Sequence, residues 1–348
     1  QFQQVLDTTY TANQDAVGIL ISVQSEEHGI SWTQAVGYSE KNTKKSLQAE
    51  QPVLIASNTK TYVAAAILKL VEERKIRLQD KIKKLLKPET RSILSSAGYN
   101  LKSITVEYLL SHTSGIRDYV DSTYFNFVDE NPQYGWTRAE QIALSARKGE
   151  PFTAPGQQFS YGDINYLLLT EIIETKTNQP FYLALRQLLG FQDLGIYSTW
   201  FEQLEDRPQG VSSLAHQYWR TRDWDSYEIN PSWDLYGGGG LASTVGDLAT
   251  FSQKLFNQEI ITDPVLLSKM YEYVLPQEQS NYCLGVRNIS FHGLTGYYHG
   301  GFWGTDVMYL PKYDLTIAVF TLEKDKRNIN AALSFEIIKL VQAKLDED

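Results

Sequence analysis

Hydrophobic residues follow two different periods along the chain, and the change of period divides it into three parts. Near the start, residues 16–24 and 30–38 are rich in β-branched and aromatic side chains and flank a polar turn, which predicts two paired strands. Residues 59–75 carry apolar side chains at helical spacing, which predicts a helix. Further helical patterns, interrupted by proline and glycine, continue to about residue 235.

Strand-like patterns return in the last third of the chain. After the stretch "GGGG", Thr244 and Asp247 are spaced like a capping box at the start of another helix. Short strands are then predicted within "YCLGVRNISF", "GTDVMYLP" and "LTIAVFTLE". A final amphipathic helix is predicted in "AALSFEIIKLVQAKL".

Strands at both ends and helices between them predict an α+β fold, an α/β sandwich. We expect an antiparallel sheet flanked by helices, because the terminal strands are short and connected by hairpins. In this interpretation residues 1–78 and 235–348 form one discontinuous domain, and residues 79–234 form a mostly helical domain inserted into it.

Composition narrows the classes of function. The 348 residues carry a formal net charge of -9, which argues against nucleic acid or an anionic membrane surface as the main partner. The single cysteine, Cys283, excludes an intrachain disulfide, and five histidines without a close pair do not favour a zinc site. No apolar run reaches the length of a transmembrane helix.

A serine and a lysine lie three residues apart in "ASNTKTY", where a polar cluster precedes the apolar helix. Residues at i and i+3 share one face of a helix, so Ser57 and Lys60 can meet. A serine becomes a good nucleophile when a neighbouring base takes its proton, and a helix N-terminus favours a developing oxyanion. The pattern equally fits a serine that caps the helix. The spacing alone leaves both interpretations open.

The same spacing occurs a second time, at Ser145 and Lys148. Here the pair comes at the end of a predicted helix, just before Gly149 and Pro151, where the helix dipole has the wrong sign for an oxyanion. A lysine near a helix C-terminus already has a structural explanation. We therefore assign this second pair a structural role.

Further segments surround the first pair in a definite order. They are "IASNTKTYVAAAIL", "VEYLLSHTSGI", "PFTAPGQQFSYGDINYLLL", "LGIYST", "GGGGLASTVGDLATF" and "HGGFWGT". Together, and along nearly the whole chain, they resemble the serine penicillin-recognising family: class C β-lactamases, D-alanyl-D-alanine carboxypeptidases, and related esterases and D-aminopeptidases. The resemblance implies a β-lactamase/transpeptidase-like fold with its active site at the junction of the two domains. It is far less specific for the substrate.

The resemblance assigns roles to three side chains. Ser57 matches the serine that is acylated, and Lys60 matches the lysine that helps to deprotonate it. Tyr161 matches the tyrosine of the second motif, which relays a proton between the serine oxygen and the leaving group. The implied reaction forms a serine ester that water then hydrolyses, and it needs no metal or organic cofactor.

The third motif of the family corresponds to His299, Gly300 and Gly301, at a sheet edge beside the cleft. The resemblance implies a catalytic role for His299 and substrate contacts for the two glycines. The family builds its oxyanion hole from two backbone N–H groups, which here would be those of Ser57 and Phe302.

Two departures from the family pattern bear on specificity. Asp163, expected among the substrate-binding residues, replaces the usual asparagine of the second motif, so that an acceptor-only carboxylate stands where an amide donates. It can orient Lys60 but favours its charged form. His299 replaces the lysine of β-lactamases, and Gly300 replaces a threonine that can bind a substrate carboxylate. Both departures argue against an efficient β-lactamase.

The chemistry also sets conditions on the charges of the site. Lys60 can act as a base only if burial and nearby positive charge lower its pKa. Tyr161 needs positive neighbours to approach the phenolate, and His299 could supply one if it is protonated.

Residues 200–236 contain four tryptophans: Trp200, Trp219, Trp224 and Trp233. They either line an aromatic cleft for an acyl or peptide side chain or cover a thin helical domain.

These observations favour a serine hydrolase, foremost a penicillin-binding-type D-peptidase similar to D-alanyl-D-alanine carboxypeptidases and acting on small peptides. The alternatives are a carboxylesterase of the same fold, a weak β-lactamase, and a non-catalytic member that binds muropeptides or a partner protein. We expect a monomer with a small-molecule or peptide substrate, without a nucleic-acid partner or a membrane span. From the resemblance we also expect a periplasmic or secreted protein whose leader was removed before residue 1.

Overall fold

A computed structural model describes residues 1–345. The strands, in chain order, are β1 (Gly18–Ser25), β2 (Ile30–Gly37), β3 (Val53–Leu54), β4 (Thr199–Phe201), β5 (Tyr218–Trp219), β6 (Trp224–Asp225), β7 (Leu241–Ser243), β8 (Arg287–Phe291), β9 (Leu294–Gly301), β10 (Thr305–Leu310) and β11 (Leu315–Phe320). The helices are α1 (Phe2–Ala12), α2 (Thr59–Glu72), α3 (Pro88–Ser96), α4 (Val106–Leu110), α5 (Ser122–Glu130), α6 (Arg138–Arg147), α7 (Asp163–Thr177), α8 (Phe181–Leu189), α9 (Val245–Phe256), α10 (Pro264–Ser268) and α11 (Asn328–Leu345). Within the described residues, no helix has both the length and the apolar character that a bilayer crossing requires.

A six-stranded antiparallel sheet forms the centre of the molecule, with the strand order β2-β1-β11-β10-β9-β8. Strand β1 pairs with β11, so that Leu20 lies opposite Phe320. The predicted antiparallel sheet with flanking helices is therefore confirmed. Its strands all fall within the two segments assigned to the discontinuous domain, whose boundaries stay a prediction.

Both faces of this sheet are covered, which explains why β1 and β11 read as nearly continuous apolar runs. Successive side chains along a strand point to opposite faces. On one face, Ile19 and Ile21 of β1 pack in a core with residues of α1 and α11. On the other face, Leu20 and Phe320 join a larger core that continues through α2 and α9 into the helical region.

A small second sheet, in the order β3-β7-β4, links the helical region to the region that contains the central sheet. Strand β7 directly follows the glycine-rich loop 237–240. Ile55 N donates to Leu241 O at 2.9 Å, and Leu241 N donates to Thr59 Oγ1 at 3.2 Å. These bonds hold the loop against the chain segment that carries Ser57 and Lys60.

The capping box predicted at the start of α9 is only half formed. Thr244 Oγ1 accepts a hydrogen bond from Asp247 N at 3.1 Å. The Asp247 carboxylate instead accepts from Ser198 N at 2.7 Å and from Thr199 Oγ1 at 3.0 Å, so it ties α9 to β4.

Candidate active site

Ser57 lies in a short 3₁₀ turn, Ala56–Asn58, between β3 and α2. Ala56 has a left-handed backbone conformation, with φ of 46°, that residues with a side chain rarely adopt. The N-cap residue of α2 is Asn58, and no side chain makes a capping hydrogen bond there. Ser57 therefore does not cap the helix, and its hydroxyl is available to Lys60.

Asn58 fastens this turn to the central sheet. Its Nδ2 donates to Ile55 O (3.0 Å), Thr305 O (3.1 Å) and Thr305 Oγ1 (2.9 Å). Gly301 of β9 passes so close that a Cβ there would collide with Ile55 O and Thr305 Oγ1. This close approach of two backbones accounts for the glycine at the end of the third motif.

Lys60 is fully buried, and its side chain contacts the Ser57 hydroxyl from inside the protein. Its Nζ donates to Ser57 Oγ at 3.0 Å and to Gly238 O, and it pairs with Asp163 Oδ1 at 2.6 Å. Three partners satisfy the three donors of an ammonium group. Burial lowers the pKa of Lys60, but the Asp163 carboxylate, with smaller contributions from Tyr161 and Asp234, raises it above its usual value overall. Lys60 is therefore an ammonium group in this structure.

The structure consequently does not meet two conditions that the sequence analysis places on the charges of Lys60 and His299. The pKa of Lys60 is raised, although its use as a base needs a lowered one, and the predicted influence of Asp163 on its charge is confirmed. His299 supplies no positive charge, because burial, and then the neighbouring Lys60 and Arg287, hold the pKa of its ring well below the usual value. The neutral ring donates from Nδ1 to Gly300 O at 3.1 Å, and Nε2 accepts from the Tyr282 hydroxyl at 3.1 Å.

Tyr161 directly precedes α7, whose first turn begins with Asp163. The centre of its ring lies 4.8 Å from Lys60 Nζ and 4.3 Å from the His112 ring centre. Burial raises the pKa of Tyr161, while Lys60 and hydrogen bonding from Ser57 act in the opposite direction. Tyr161 is therefore a phenol that lies beside the Ser57–Lys60 pair.

The two amides expected to form an oxyanion hole lie on adjoining segments. Ser57 belongs to the 3₁₀ turn, and Phe302 follows Gly301, whose backbone packs against that turn. The N–H of Phe302 donates to no acceptor in residues 1–345. The arrangement suits two donors aimed at one oxygen, and the role itself stays a prediction.

Gly300 leaves room for an arginine. A Cβ at Gly300 would overlap the guanidinium group of Arg327, which donates to Asp306 Oδ1 at 2.8 Å and to the Tyr298 hydroxyl at 2.7 Å. Threonine, usual in the family at this position, therefore cannot be accommodated without moving Arg327. Any contact that Gly300 makes with a substrate comes from its backbone.

Two acidic residues that sequence reasoning missed complete the surroundings of Lys60. Asp118 Oδ1 accepts from Ile164 N at 3.1 Å and so provides a partner for a free amide in the first turn of α7. Burial, followed by the charge of Asp163, raises the pKa of Asp118 to about 7. The same two causes raise the pKa of Asp234 well above its usual value. Both residues occur outside any recognisable motif, and only the tertiary structure brings them to Lys60.

Three of the four tryptophans pack against Phe302 as part of a buried aromatic cluster. The rings of Trp219, Trp224 and Trp233 lie 5.1, 6.1 and 5.0 Å from the Phe302 ring, and all three residues are buried. Phe302 itself is half-buried, as is Phe125, which stacks on it at 6.0 Å. The structure thus favours the cover over an exposed tryptophan lining.

The second serine–lysine pair has the structural role that we assign to it. Ser145 is fully buried within α6, and Lys148 pairs with Asp121.

Comparisons with known proteins bear on the family and the fold of this chain. The family model described as Beta-lactamase matches residues 8–334. Penicillin-binding protein 4* of Bacillus subtilis (strain 168) is 21% identical over 248 residues, which cover 68% of this chain and 52% of that protein. The chain therefore spans about half the length of this curated relative.

Solved structures show the same fold. The D-amino acid amidase from Ochrobactrum anthropi SV3, complexed with L-phenylalanine amide, has a TM-score of 0.79 at 22% identity, over 98% of both chains. EstCE1, a hydrolase with promiscuous acyltransferase activity, has a TM-score of 0.74 at 18% identity, over 92% of this chain and 93% of that one.

A third solved structure bears on the oligomeric state. It is the octameric penicillin-binding protein homologue from Pyrococcus abyssi, with a TM-score of 0.73 at 23% identity, over 91% of this chain and 72% of that one. Because an octameric relative of this fold exists, the expected monomer stays a prediction. The match of the family model across most of the sequence decides the affiliation: this chain belongs to the Beta-lactamase family of serine hydrolases.

Proposed function

We propose that the chain is a serine acyl hydrolase that cleaves amide or peptide bonds of small substrates containing D-amino acids, by way of an ester on Ser57. The observation that carries this proposal is the contact between Lys60 Nζ and Ser57 Oγ at 3.0 Å, with Tyr161 beside it. Relatives described as a D-amino acid amidase and a penicillin-binding protein support an amide substrate with a D-configured residue.

Acylation begins when Ser57 Oγ attacks the substrate carbonyl and a C–O bond forms. Lys60 first loses its own proton to water, because an ammonium group has no free lone pair, and the hydroxyl proton of Ser57 then passes to the neutral amine of Lys60. The N–H groups of Ser57 and Phe302 donate to the oxyanion of the tetrahedral intermediate. The C–N bond then breaks, and the departing amine receives the proton through Tyr161.

Deacylation repeats these steps with water as the nucleophile. A water molecule attacks the ester carbonyl and gives a proton to the same basic group. The C–O bond to Ser57 breaks, and the proton returns to Ser57 Oγ. The net reaction consumes water and yields an acid and an amine.

The test compares the two serine–lysine pairs of this chain. Ser57→Ala is expected to lower the hydrolysis rate of p-nitrophenyl acetate and D-alanine p-nitroanilide by a factor on the order of 10⁴ or more. Ser145→Ala, which removes the serine of the structural pair, is expected to keep the wild-type rates. Mass spectrometry of the quenched wild type should show an acyl group on Ser57. Full activity of Ser57→Ala would refute the proposal.

A second candidate is a carboxylesterase of the same fold. The observation that favours it is Gly300, where the Arg327 guanidinium occupies the space of the threonine side chain that can bind a carboxylate. A kcat/KM that is high for the methyl ester of D-alanine and undetectable for its p-nitroanilide would select the esterase.

Intact-mass analysis with benzylpenicillin addresses the remaining alternatives. Drug loss without a lasting adduct would indicate a β-lactamase, and a lasting adduct would indicate a penicillin-binding peptidase. A protein inert toward the drug, the esters and the amides would be the non-catalytic member.

A further inference from the structure

Three carboxylates lie around Lys60, and two of them are accounted for. Asp163 forms the 2.6 Å ion pair with Lys60 Nζ. Asp118 accepts from Ile164 N, in the first turn of α7, at 3.1 Å. Asp234, in contrast, accepts no hydrogen bond and forms no ion pair within residues 1–345, although it is only 9% exposed. A carboxylate buried to this extent is normally paired, so Asp234 requires an explanation.

The glycine-rich loop brings Asp234 and Asp163 to the same side of the site. A Cβ on Gly238 would lie 2.7 Å from Asp163 Cγ, and a Cβ on Gly239 would overlap the Asp234 carboxylate. Lys60 Nζ donates to the carbonyl oxygen of Gly238 in the same loop. The loop can pass between these groups only because it has no side chains, so the two carboxylates and Lys60 form one compact cluster.

The charges of this cluster do not balance. One ammonium group, that of Lys60, faces the carboxylates of Asp118, Asp163 and Asp234. The charge of Asp163 raises the pKa of both Asp118 and Asp234, and Asp118 also raises that of Asp234. The cluster therefore holds protons at neutral pH in the protein alone. A second cation placed there would relieve the repulsion and allow the carboxylates to ionise.

This inference rests on the proposed function and names its substrate class. We propose that Asp234, together with Asp163, binds the α-ammonium group of the substrate, so that the enzyme acts on amino-acid amides and on peptides whose amino-terminal residue is the acyl donor. Lys60 Nζ lies 3.0 Å from Ser57 Oγ and 2.6 Å from Asp163 Oδ1, so Asp163 is close enough to the nucleophile to contact a group near the attacked carbonyl. In an α-amino acyl group, the ammonium sits on the carbon next to the carbonyl. A free carboxylate in the same place would be repelled.

The bound ammonium group also explains how Lys60, which is an ammonium group in the protein alone, can become a base. It competes with Lys60 for the Asp163 carboxylate, whose charge contributes most to the raised pKa of Lys60, and this competition lowers that pKa. The substrate thus supplies the cation that neutral His299 does not. Lys60 can then release its proton and accept the one from Ser57.

The first experiment measures binding without turnover. Ser57→Ala is titrated calorimetrically with D-alanine amide and with N-acetyl-D-alanine amide in two buffers of different ionisation enthalpy. The free amine is expected to bind at least about tenfold more tightly and to release protons, because carboxylates ionise around it. Equal affinity for the two amides, or tighter binding of the acetylated one, would overturn the inference.

The second experiment measures selectivity, as the ratio of kcat/KM for D-alanine p-nitroanilide to kcat/KM for its N-acetyl derivative. We expect a ratio of at least about ten in the wild type and a loss of about tenfold in Asp234→Asn. Asp223→Asn is the matched control, because Asp223 is exposed and its left-handed conformation suits asparagine. An unchanged ratio in Asp234→Asn would contradict the inference.

The outcomes separate the two proposals. A wild type that hydrolyses both p-nitroanilides equally supports the proposed function and refutes the ammonium site. A wild type that hydrolyses neither these nor the esters refutes the proposed function, while the titration of Ser57→Ala still decides whether the cluster binds an ammonium group.

Discussion

Lys60 and Asp163 form the ion pair that decides when Ser57 can lose its proton. The ammonium group donates to Ser57 Oγ at 3.0 Å, and the carboxylate lies 2.6 Å away on its other side. The carboxylate keeps the proton on Lys60, so the basic form of Lys60 exists only at high pH unless another cation competes for Asp163. One side chain thus sets both the orientation and the protonation of the catalytic lysine.

Asp163→Asn is expected to shift the pH–rate profile toward lower pH. The raised pKa of Lys60 depends on the Asp163 charge more than on any other group, so its removal lets the base form appear earlier as pH rises. With p-nitrophenyl acetate, which carries no ammonium group, the rising limb should move down by about one unit or more. Asp223→Asn controls for the change in net charge. A limb that does not move would show that Lys60 is not the titrating base.

Among individual residues, the sequence predicted those that lie within short, contiguous motifs. Ser57, Lys60 and Tyr161 each stand in a short segment with a recognisable pattern, and the structure brings them together. Asp118 and Asp234 carry no such pattern. The pKa of Lys60 depends on Asp163 and also on Asp234 from a separate segment, and the contribution of Asp234 could not be read from spacing.

The 3₁₀ turn Ala56–Asn58 and strand β9 touch through their backbones, and this contact joins the nucleophile to the expected oxyanion donor. Asn58 and Gly301 both take part, one through its amide and the other through its missing side chain. Displacements of about 1 Å within a catalytic site can cost a hundredfold in rate. The contact therefore matters more for activity than for the stability of the fold.

Gly301→Ala is expected to lower kcat/KM for p-nitrophenyl acetate by about a hundredfold and to cost about 1–3 kcal/mol of stability, since the new Cβ meets the Ile55 carbonyl. Gly296→Ala in the same strand is the control. The three atoms nearest to its Cβ would all belong to side chains: Leu310 Cδ2 at 3.2 Å, Met308 Sδ at 3.3 Å and Ile289 Cγ1 at 3.4 Å. Equal rates in the two variants would show that the close approach has no catalytic importance.

Several long elements were predicted from the sequence, but the helix α1 (Phe2–Ala12) and the very short strands were not. The alternating and continuous apolar runs of β1, β2 and β11 and the helical period of α2 gave their positions. Strands of two residues, such as β3 and β5, have no measurable period, and neither has the turn that carries Ser57. Asp247 bonds to β4 rather than closing its capping box, because a tertiary partner outcompetes the local one.

The central sheet separates two hydrophobic cores over the whole molecule. The core that includes α1 and α11 lies on the face opposite to α2, which carries Lys60. The catalytic side chains therefore lie outside the core that α11 helps to form. We expect a defect in that core to weaken the fold without displacing Ser57 or Lys60.

Leu333→Ala tests this separation. Leu333 of α11 is fully buried, so its truncation should cost about 2–5 kcal/mol and lower the melting temperature. The kcat measured well below that temperature should equal the wild-type value. Leu183→Ala, at a residue 41% exposed on α8, should change stability by less than about 1 kcal/mol. A fall in kcat for folded Leu333→Ala would mean that the two cores are coupled.

The pairing of β1 with β11 has a consequence for the synthesis of the protein. Ribosomes add roughly 5–20 residues per second, so β1 leaves the ribosome many seconds before its partner strand exists. Contacts between such distant parts of a chain also form slowly. Thr305 and Gly301, which hold the Ser57 turn, belong to the same late strands. A nascent chain thus contains Ser57 early in synthesis but can assemble the residues needed for acylation only after the late strands have folded. Hydrolysis therefore cannot begin before the fold is complete.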